Sequence, residues 1–315
     1  ETAYTIGVEP HDQSGKHALL GWVTDPAVVG GGGTLIVNTQ SEIDRIVNDS
    51  RFYRVGEGIT FSNSDIKLTA VWAAKEFFYT VTYDPGTQGT FAPQTTQYLI
   101  YGDPTPAFNG TPTGNPGWTF TGWSPAVAPT VTGDATYVAQ WEPSATTSYK
   151  VEHYTQNLDG TYKLEETENL TGKTGVYVTA TPKTYAGFTH NPNAAGTIAG
   201  GTILADGSLV LKLYYDRNSY SVTYEYTGTV PAGASALPAK AEYKYGETVT
   251  VAAAATAPGY TFSGWDRQGT FTMPAEDVVI KGSFTANTDT PYTVKHYTEN
   301  LDGTYTLADV ENLTG

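Results

Sequence analysis

Short runs in which apolar and polar residues alternate with a period of two recur along this chain. Tyr149, Val151 and His153 fall on one face of a run in which Lys150, Glu152 and Tyr154 fall on the other, and that spacing predicts a half-buried β-strand. Similar runs occur at Tyr4 to Val8, Ile66 to Trp72, Tyr79 to Tyr83, Tyr137 to Trp141, Val176 to Val178, Ser208 to Tyr215, Tyr220 to Tyr224 and Ile280 to Phe284. Turn residues punctuate them. Asp84-Pro85-Gly86 reads as a turn, and Asp159-Gly160 is expected to supply the positive φ angles of a tight hairpin that returns through Thr161 to Leu164. One stretch departs from this pattern. Ser41 followed by Asp44 resembles a capping box, and Ile43, Ile46 and Val47 lie at helical spacing, so two turns of helix are predicted near 41–49. The glycine run from Gly30 to Gly33 before it predicts a loop. The fold expected is mainly β, with at most short helices.

The strands repeat in blocks. Residues 149–172 return at 292–315, an offset of 143, with seventeen of twenty-four positions identical. The signposts YTVTY, YG, GWTFTGW and YVAQW of residues 77–146 recur in 219–287 as YSVTY, YG, GYTFSGW and IKGSF at nearly the same offset. The repeating object is therefore a pair of modules. Linkers at 142–148, 216–218 and 286–291 are short, which predicts a stiff, monomeric rod; four modules in line would reach on the order of 120 Å. The last copy holds only the opening hairpin of its module. It is expected to be poorly packed, with Val294 and Leu301 left without a core.

Composition narrows the possibilities. The chain has 315 residues, 39% hydrophobic and 13% aromatic, which suits folded modules rather than disorder. Its 23 tyrosines, 34 glycines and 18 prolines favour strands joined by turns. A formal charge of −15 argues against nucleic acid and anionic lipid as partners. With no cysteine, a disulfide scaffold, a thiolate zinc site and a cysteine nucleophile are excluded. No apolar run approaches the roughly 18 residues of a membrane span. Export and anchoring signals are expected to lie outside these residues.

The motifs carry a family resemblance. Residues 76–146, with YTVTYDPG, GWTFTGW and YVAQW, resemble the Listeria-Bacteroides repeat, the internalin-B-type B repeat of bacterial surface proteins. Residues 1–75, through LLGW and TAVW, look like a diverged member of it with an insertion from Thr24 to Ser50. Residues 219–288, with PGYTFSGW and FTMPAEDVVIKGSF, resemble the streptococcal high-identity tandem repeat, SHIRT. Residues 147–218, built on YKVEHYTQNLDGTY, are similar to MucBP-like repeats, and 289–315 resemble the truncated start of a second such module. These resemblances imply tandem β-grasp-like modules in the stalk of a Gram-positive, cell-wall-attached adhesin, extracellular and non-catalytic. The alternative they imply is a module binding mucin or other host glycoprotein glycans.

Candidate chemistry is thin by comparison. Trp123 and Trp265 occupy matching positions, each after a Phe-x-Gly whose glycine would allow close packing, and read as core anchors; Trp118 is expected to pack beside Phe120. His153 and His296 are equivalent and read as partly buried structural residues. His11, His17 and His190 fall in loop-like contexts with no metal-ligand spacing. Asp159-Gly160 and Asp302-Gly303 lack the ligand pattern of a calcium loop. Neither Gly30 to Gly33 nor Gly200-Gly201 leads into a Lys-Ser/Thr pair. No residue is assigned a catalytic, cofactor-binding or metal role, and no cofactor is expected.

Overall fold

The computed structural model describes residues 3–5, 15–25, 35–60 and 67–315. The predicted glycine loop at 30–33, His11, and the ends of two predicted strands at 6–8 and 66 lie outside those residues. The chain divides into two compact units, Glu1–Thr147 with Lys173–Gly175 and Leu204–Asp206, and Ser148–Gly172 with Val176–Ile203 and Gly207–Gly315.

The first unit begins with β1 (Ala3–Thr5), β2 (His17–Val23), β3 (Leu35–Val37), helix α1 (Gln40–Val47), β4 (Phe52–Arg54), β5 (Gly58–Thr60) and β6 (Thr69–Ala74). Strands β3-β6-β2-β4 form one sheet, in which β2 and β6 run antiparallel. Helix α1 buries Ile43 and Ile46 completely beside Val23, Val71 and Ala73, as its apolar spacing requires. Its capping box lies two residues earlier than predicted. Thr39 is the N-cap: its hydroxyl accepts from the Glu42 N–H at 3.3 Å, and the Glu42 carboxylate accepts from the Thr39 N–H at 3.1 Å. Ser41 and Asp44 had the right residue types but already lie inside the helix.

Four strands follow, β7 (Tyr79–Asp84), β8 (Gln94–Leu99), β9 (Trp118–Ser124) and β10 (Ala135–Pro143), in the sheet order β8-β7-β10-β9. Here the first and last strands pair in parallel. The two sheets of this unit are not independent, because Ile100, just past β8, is 2% exposed within the core of the first sheet, and Phe77 and Phe78 pack against it.

The second unit repeats that order twice. Its first module comprises β11 (Thr147–Gln156), β12 (Tyr162–Gly172), β13 (Tyr177–Thr179), β14 (Phe188–His190), β15 (Gly200–Thr202) and β16 (Val210–Arg217). Its second comprises β17 (Ser219–Thr227), β18 (Ala241–Lys244), β19 (Thr248–Thr250), β20 (Tyr260–Trp265), β21 (Thr270–Thr272) and β22 (Val278–Ala286). The main sheets run β12-β11-β16-β14 and β18-β17-β22-β20, with β11 parallel to β16 and β17 parallel to β22. Small pairs β13-β15 and β19-β21 supplement them. Parallel pairing requires a long crossover, which is why nearly every other residue of a module lies between its first and last strands. The same pairing places the entry and exit of each such module at opposite ends of its sheet.

The two modules of this unit are joined through one residue, Asn218, which donates its N–H to Gly187 O and accepts from the Tyr245 N–H. Arg217 sits over Phe188 at 4.9 Å and over Tyr245 at 5.8 Å, and donates to the Tyr245 carbonyl. Gly187, at φ 80°, lies so close to the Tyr245 ring that a Cβ there would stand 2.3 Å from it. The junction is a packed contact of the kind that suits a planar guanidinium.

Two strands end the chain, β23 (Pro291–Glu299) and β24 (Tyr305–Thr314), paired only with each other. The contrast with the earlier copy follows the expectation. Val151 and His153 are buried, whereas Val294 is half-buried, His296 is exposed, and Leu301 is fully exposed. The hairpin turn itself differs in detail from the sequence reading. Gly160 has φ 88°, but Asp159 does not have a positive φ; instead its carboxylate accepts from the Thr161 N–H at 2.9 Å and hydroxyl at 2.6 Å.

Matched segments make a direct test. Backbone amides of β23 should exchange with deuterium at least tenfold faster than their equivalents in β11, read by mass spectrometry of peptides 149–156 and 292–299, because burial and a second strand protect only the earlier copy. Equal protection would contradict the packing described. In the core of 219–288, Trp265→Ala should cost about 3–5 kcal/mol in urea-unfolding free energy, with little change in the other modules' transitions.

Candidate functional site

Residues that repeat at matching positions are the first place to look for chemistry. Trp123 lies 4.7 Å from Tyr83, 5.2 Å from Phe108 and 5.2 Å from Phe120, ring centre to ring centre. Trp265 is 6% exposed, contacts Tyr224 and Phe262, stacks on Tyr226, and donates its indole N–H to Ala253 O at 3.0 Å. Both are core anchors. The preceding glycines work differently from the sequence expectation. Gly122 has φ 143° with nothing near its Cβ position, and Gly264 has φ 87° with only Gln268 at 3.4 Å. They sit at register shifts in β9–β10 and β20–β22, so the bulge backbone demands glycine, and close packing does not.

The densest polar cluster belongs to residues 147–218. His153, which has no exposed surface, sets Nε2 2.7 Å from Glu168 Oε1 and Nδ1 2.9 Å from the Tyr215 hydroxyl. A carboxylate only accepts, so Nε2–H donates to Glu168. The Tyr215 hydroxyl also accepts from the Lys183 N–H at 2.9 Å. The Lys183 ammonium lies 2.5 Å from Glu166 and 3.3 Å from Glu168, and the Tyr185 hydroxyl donates to Glu166 at 2.9 Å. The hydrogen bond from His153 is the main cause holding the Glu168 carboxyl below its ordinary range, and Lys183 does the same for Glu166. Burial pushes the Tyr185 phenol up.

Each member of this cluster already has its partners, and the cluster, buried at His153 and Tyr215 and open to solvent at Glu166, is a polar tie between β11, β16, β12 and the Lys183 loop. His153 is thus more deeply buried than the partial burial expected. His296 lies 3.8 Å from Glu311, an exposed version of the same pair. His190 and His17 are not in loops: His190 ends β14 with its ring 5.5 Å from Tyr215, and its Nε2 has no partner, while His17 begins β2. Asp159 and Asp302 have their carboxyls lowered chiefly by the hydroxyls of Thr161 and Thr304, which is hairpin chemistry. Among the described residues no three His, Cys, Asp or Glu side chains gather where they could hold a metal, and no helix is long and apolar enough to cross a membrane.

A second feature had no sequence signal. Within the first unit a cleft of about 520 Å³ opens between β2, β6 and the end of β8, lined by Trp72, Phe78, Tyr98 and Gln97 among others. The ion pair of Arg54 with Asp103, at 2.7–2.8 Å, forms part of its wall. Asp103 is 8% exposed and also accepts from the Ile100 N–H at 2.9 Å. Tyr98 is the non-glycine residue with positive φ, 62°, among the described residues.

These features define a class: a tandem-repeat protein of small β-modules. Residues 220–288 match the family model described as "Divergent InlB B-repeat domain", the label that sequence resemblance had placed on 1–75 and 76–146, whereas it had likened 219–288 to SHIRT. No curated protein matches the chain. Among solved structures, streptococcal SHIRT domains 3–4 from a cell surface protein are 17% identical, covering 43% of this chain and 96% of that one at TM-score 0.19. The Bacillus anthracis TIE protein is 9% identical, covering 74% and 55% at TM-score 0.29. Mub-RV is 13% identical, covering 45% and 99% at TM-score 0.17. At such scores none of the three supports an argument about fold or function, and the class rests on the repeated sheet order.

The cluster predicts an acid limb in stability. Glu166 and Glu168 have folded pKa values below their unfolded ones, so the stability they contribute is present above about pH 4.3 and is lost as pH falls through the lower folded values. Urea midpoints of the 147–218 transition should therefore fall with pH in that range. Glu168→Gln should flatten that fall, and an unchanged slope would show that the His153–Glu168 contact is not linked to folding.

Proposed function

We propose that this chain is a non-catalytic segment of the repetitive stalk of a bacterial cell-surface adhesin, which holds a distal binding domain away from the cell wall. The observation that carries this reading is the parallel pairing of first and last strands in three consecutive modules, which sends the chain out of each module at the end opposite its entry. The one-residue connection through Asn218, clamped by Arg217 between Phe188 and Tyr245, supports stiffness at a junction. The match of residues 220–288 to a B-repeat family is consistent with it. Assignment of 1–75 and 76–146 as internalin-B-type repeats, of 147–218 and 289–315 as MucBP-like and of 219–288 as SHIRT-like is part of the same proposal, as are extracellular placement and wall attachment through other regions.

A role for residues 149–216 in binding mucin or host glycans draws less support. Tyr154 stacks on Tyr214 at 4.9 Å, and Tyr162 meets Tyr214 edge-on at 5.0 Å, so these rings are occupied with one another.

Small-angle X-ray scattering tests the stalk. A compact 315-residue particle would have a radius of gyration of about 20 Å, and a clearly larger value with the distance distribution of an elongated particle is expected. A value near the compact limit would overturn the proposal. Arg217→Ala should broaden that distribution by loosening one junction, with each module still folded by circular dichroism.

A further inference from the structure

We propose that the cleft beside Tyr98 is a binding site for a neutral pyranose sugar. Its origin is a β-bulge. Along β7 and β8 the register steps from Tyr79↔Leu99 to Val81↔Thr96, so β8 carries one extra residue between those pairs. The bulge holds Tyr98 at φ 62°, a conformation rare and strained for a bulky side chain. The strain does not place the ring in a core: Tyr98 is 59% exposed, with its ring edge-on to Phe78 at 6.0 Å. A strained backbone that presents an exposed aromatic ring to a cleft calls for a reason other than packing.

The cleft walls indicate the chemistry of the occupant. Its volume of about 520 Å³ lies within the roughly 300–1,000 Å³ usual for small-molecule sites. Trp72, Phe78 and Tyr98 offer aromatic surface, while Gln97, His17 and Lys75 bring hydrogen-bonding groups to the same cleft. A pyranose matches that division, with an apolar C–H face to lie on a ring and hydroxyls to meet polar groups. An anionic ligand fits worse, since the Arg54 guanidinium is held by Asp103, which leaves the Lys75 ammonium to set against the carboxylate of Asp103 in the lining and the chain's overall charge of −15. A peptide strand added to the edge of β8 also fits worse, because the bulge interrupts the row of backbone groups such a partner needs. The wall itself is fixed: Ile100 is anchored in the neighbouring core, and Asp103 ties it to Arg54. The site is independent of the stalk proposal, since a rod with or without this site scatters alike.

Saturation-transfer NMR on the full 315-residue chain provides the test, with methyl β-D-galactopyranoside, methyl β-D-glucopyranoside and N-acetyl-D-glucosamine as neutral probes and N-acetylneuraminic acid as the anionic one. Saturable transfer to the ring C–H protons of at least one neutral probe is expected, with weaker transfer to the acid. Tyr98→Gly keeps the backbone conformation accessible while removing the ring. It should weaken binding at least fivefold and leave the urea midpoint unchanged or raised; Trp72→Phe, which keeps an aromatic ring, should weaken it less. No saturable transfer from any neutral probe up to about 20 mM, where even a millimolar site would be filled, overturns the proposal. So does transfer undiminished in Tyr98→Gly, equal or stronger binding of the acid, or a fall in the Tyr98→Gly midpoint that assigns the ring a structural role.

Discussion

The parallel contact between the first and last strands of a module is the constraint on which the rest depends. β7 with β10, β11 with β16, and β17 with β22 each occupy the centre of a four-stranded sheet. No module can finish its core until its last strand arrives, because that strand contributes buried residues such as Leu211 and Leu213, or Val278 and Ile280. The terminal hairpin shows the consequence. It has the residues of β11 and β12 at most positions, yet, paired only with each other, its strands leave Val294 only half-buried and Leu301 fully exposed.

Modules of about 70 residues bury a smaller share of their surface than larger domains do, and the junctions within each unit extend what they bury. In the first unit Ile100, Phe77 and Phe78 join the core of the preceding sheet, with Arg54 and Asp103 closing the contact. In the second, Arg217 lies against Phe188 and Tyr245 across a linker of one residue. An arginine acts at both places, but by different means. One makes a two-contact ion pair with a nearly buried carboxylate, and the other presents its flat face to aromatic rings.

Polar groups inside the modules divide in a similar way. The His153 cluster is a network in which imidazole, carboxylates, ammonium and phenols satisfy one another, buried at His153 and Tyr215 and reaching solvent at Glu166, the arrangement expected of a tie between strands. The cleft at Tyr98 is open, and its one unusual feature is the backbone strain at Tyr98. A cluster with every partner in place holds a structure together, whereas the strained backbone at Tyr98 turns a ring toward solvent beside Phe78.

Many of the longer strands, the core role of Trp123 and Trp265 and the loose packing of the last hairpin were legible in the chain itself, because period-two alternation and internal copies are local properties that survive without coordinates, whereas short strands such as β3, β4, β14 and β15 carried no such signal. The helix was legible too, but its cap was displaced from Ser41 to Thr39, since several polar residues there suit an N-cap and only the backbone path selects one. The order of strands in each sheet, the antiparallel central pair of the first sheet, the burial of His153 and the bulge that turns Tyr98 outward were decided by tertiary structure. Each depends on partners far along the chain: His153 on Glu168 and Tyr215, Tyr98 on the pairing of β7 with β8. Alternation states that a strand has two faces; which strand lies beside it, and so which residues meet, is fixed only when the last strand of the module closes the sheet.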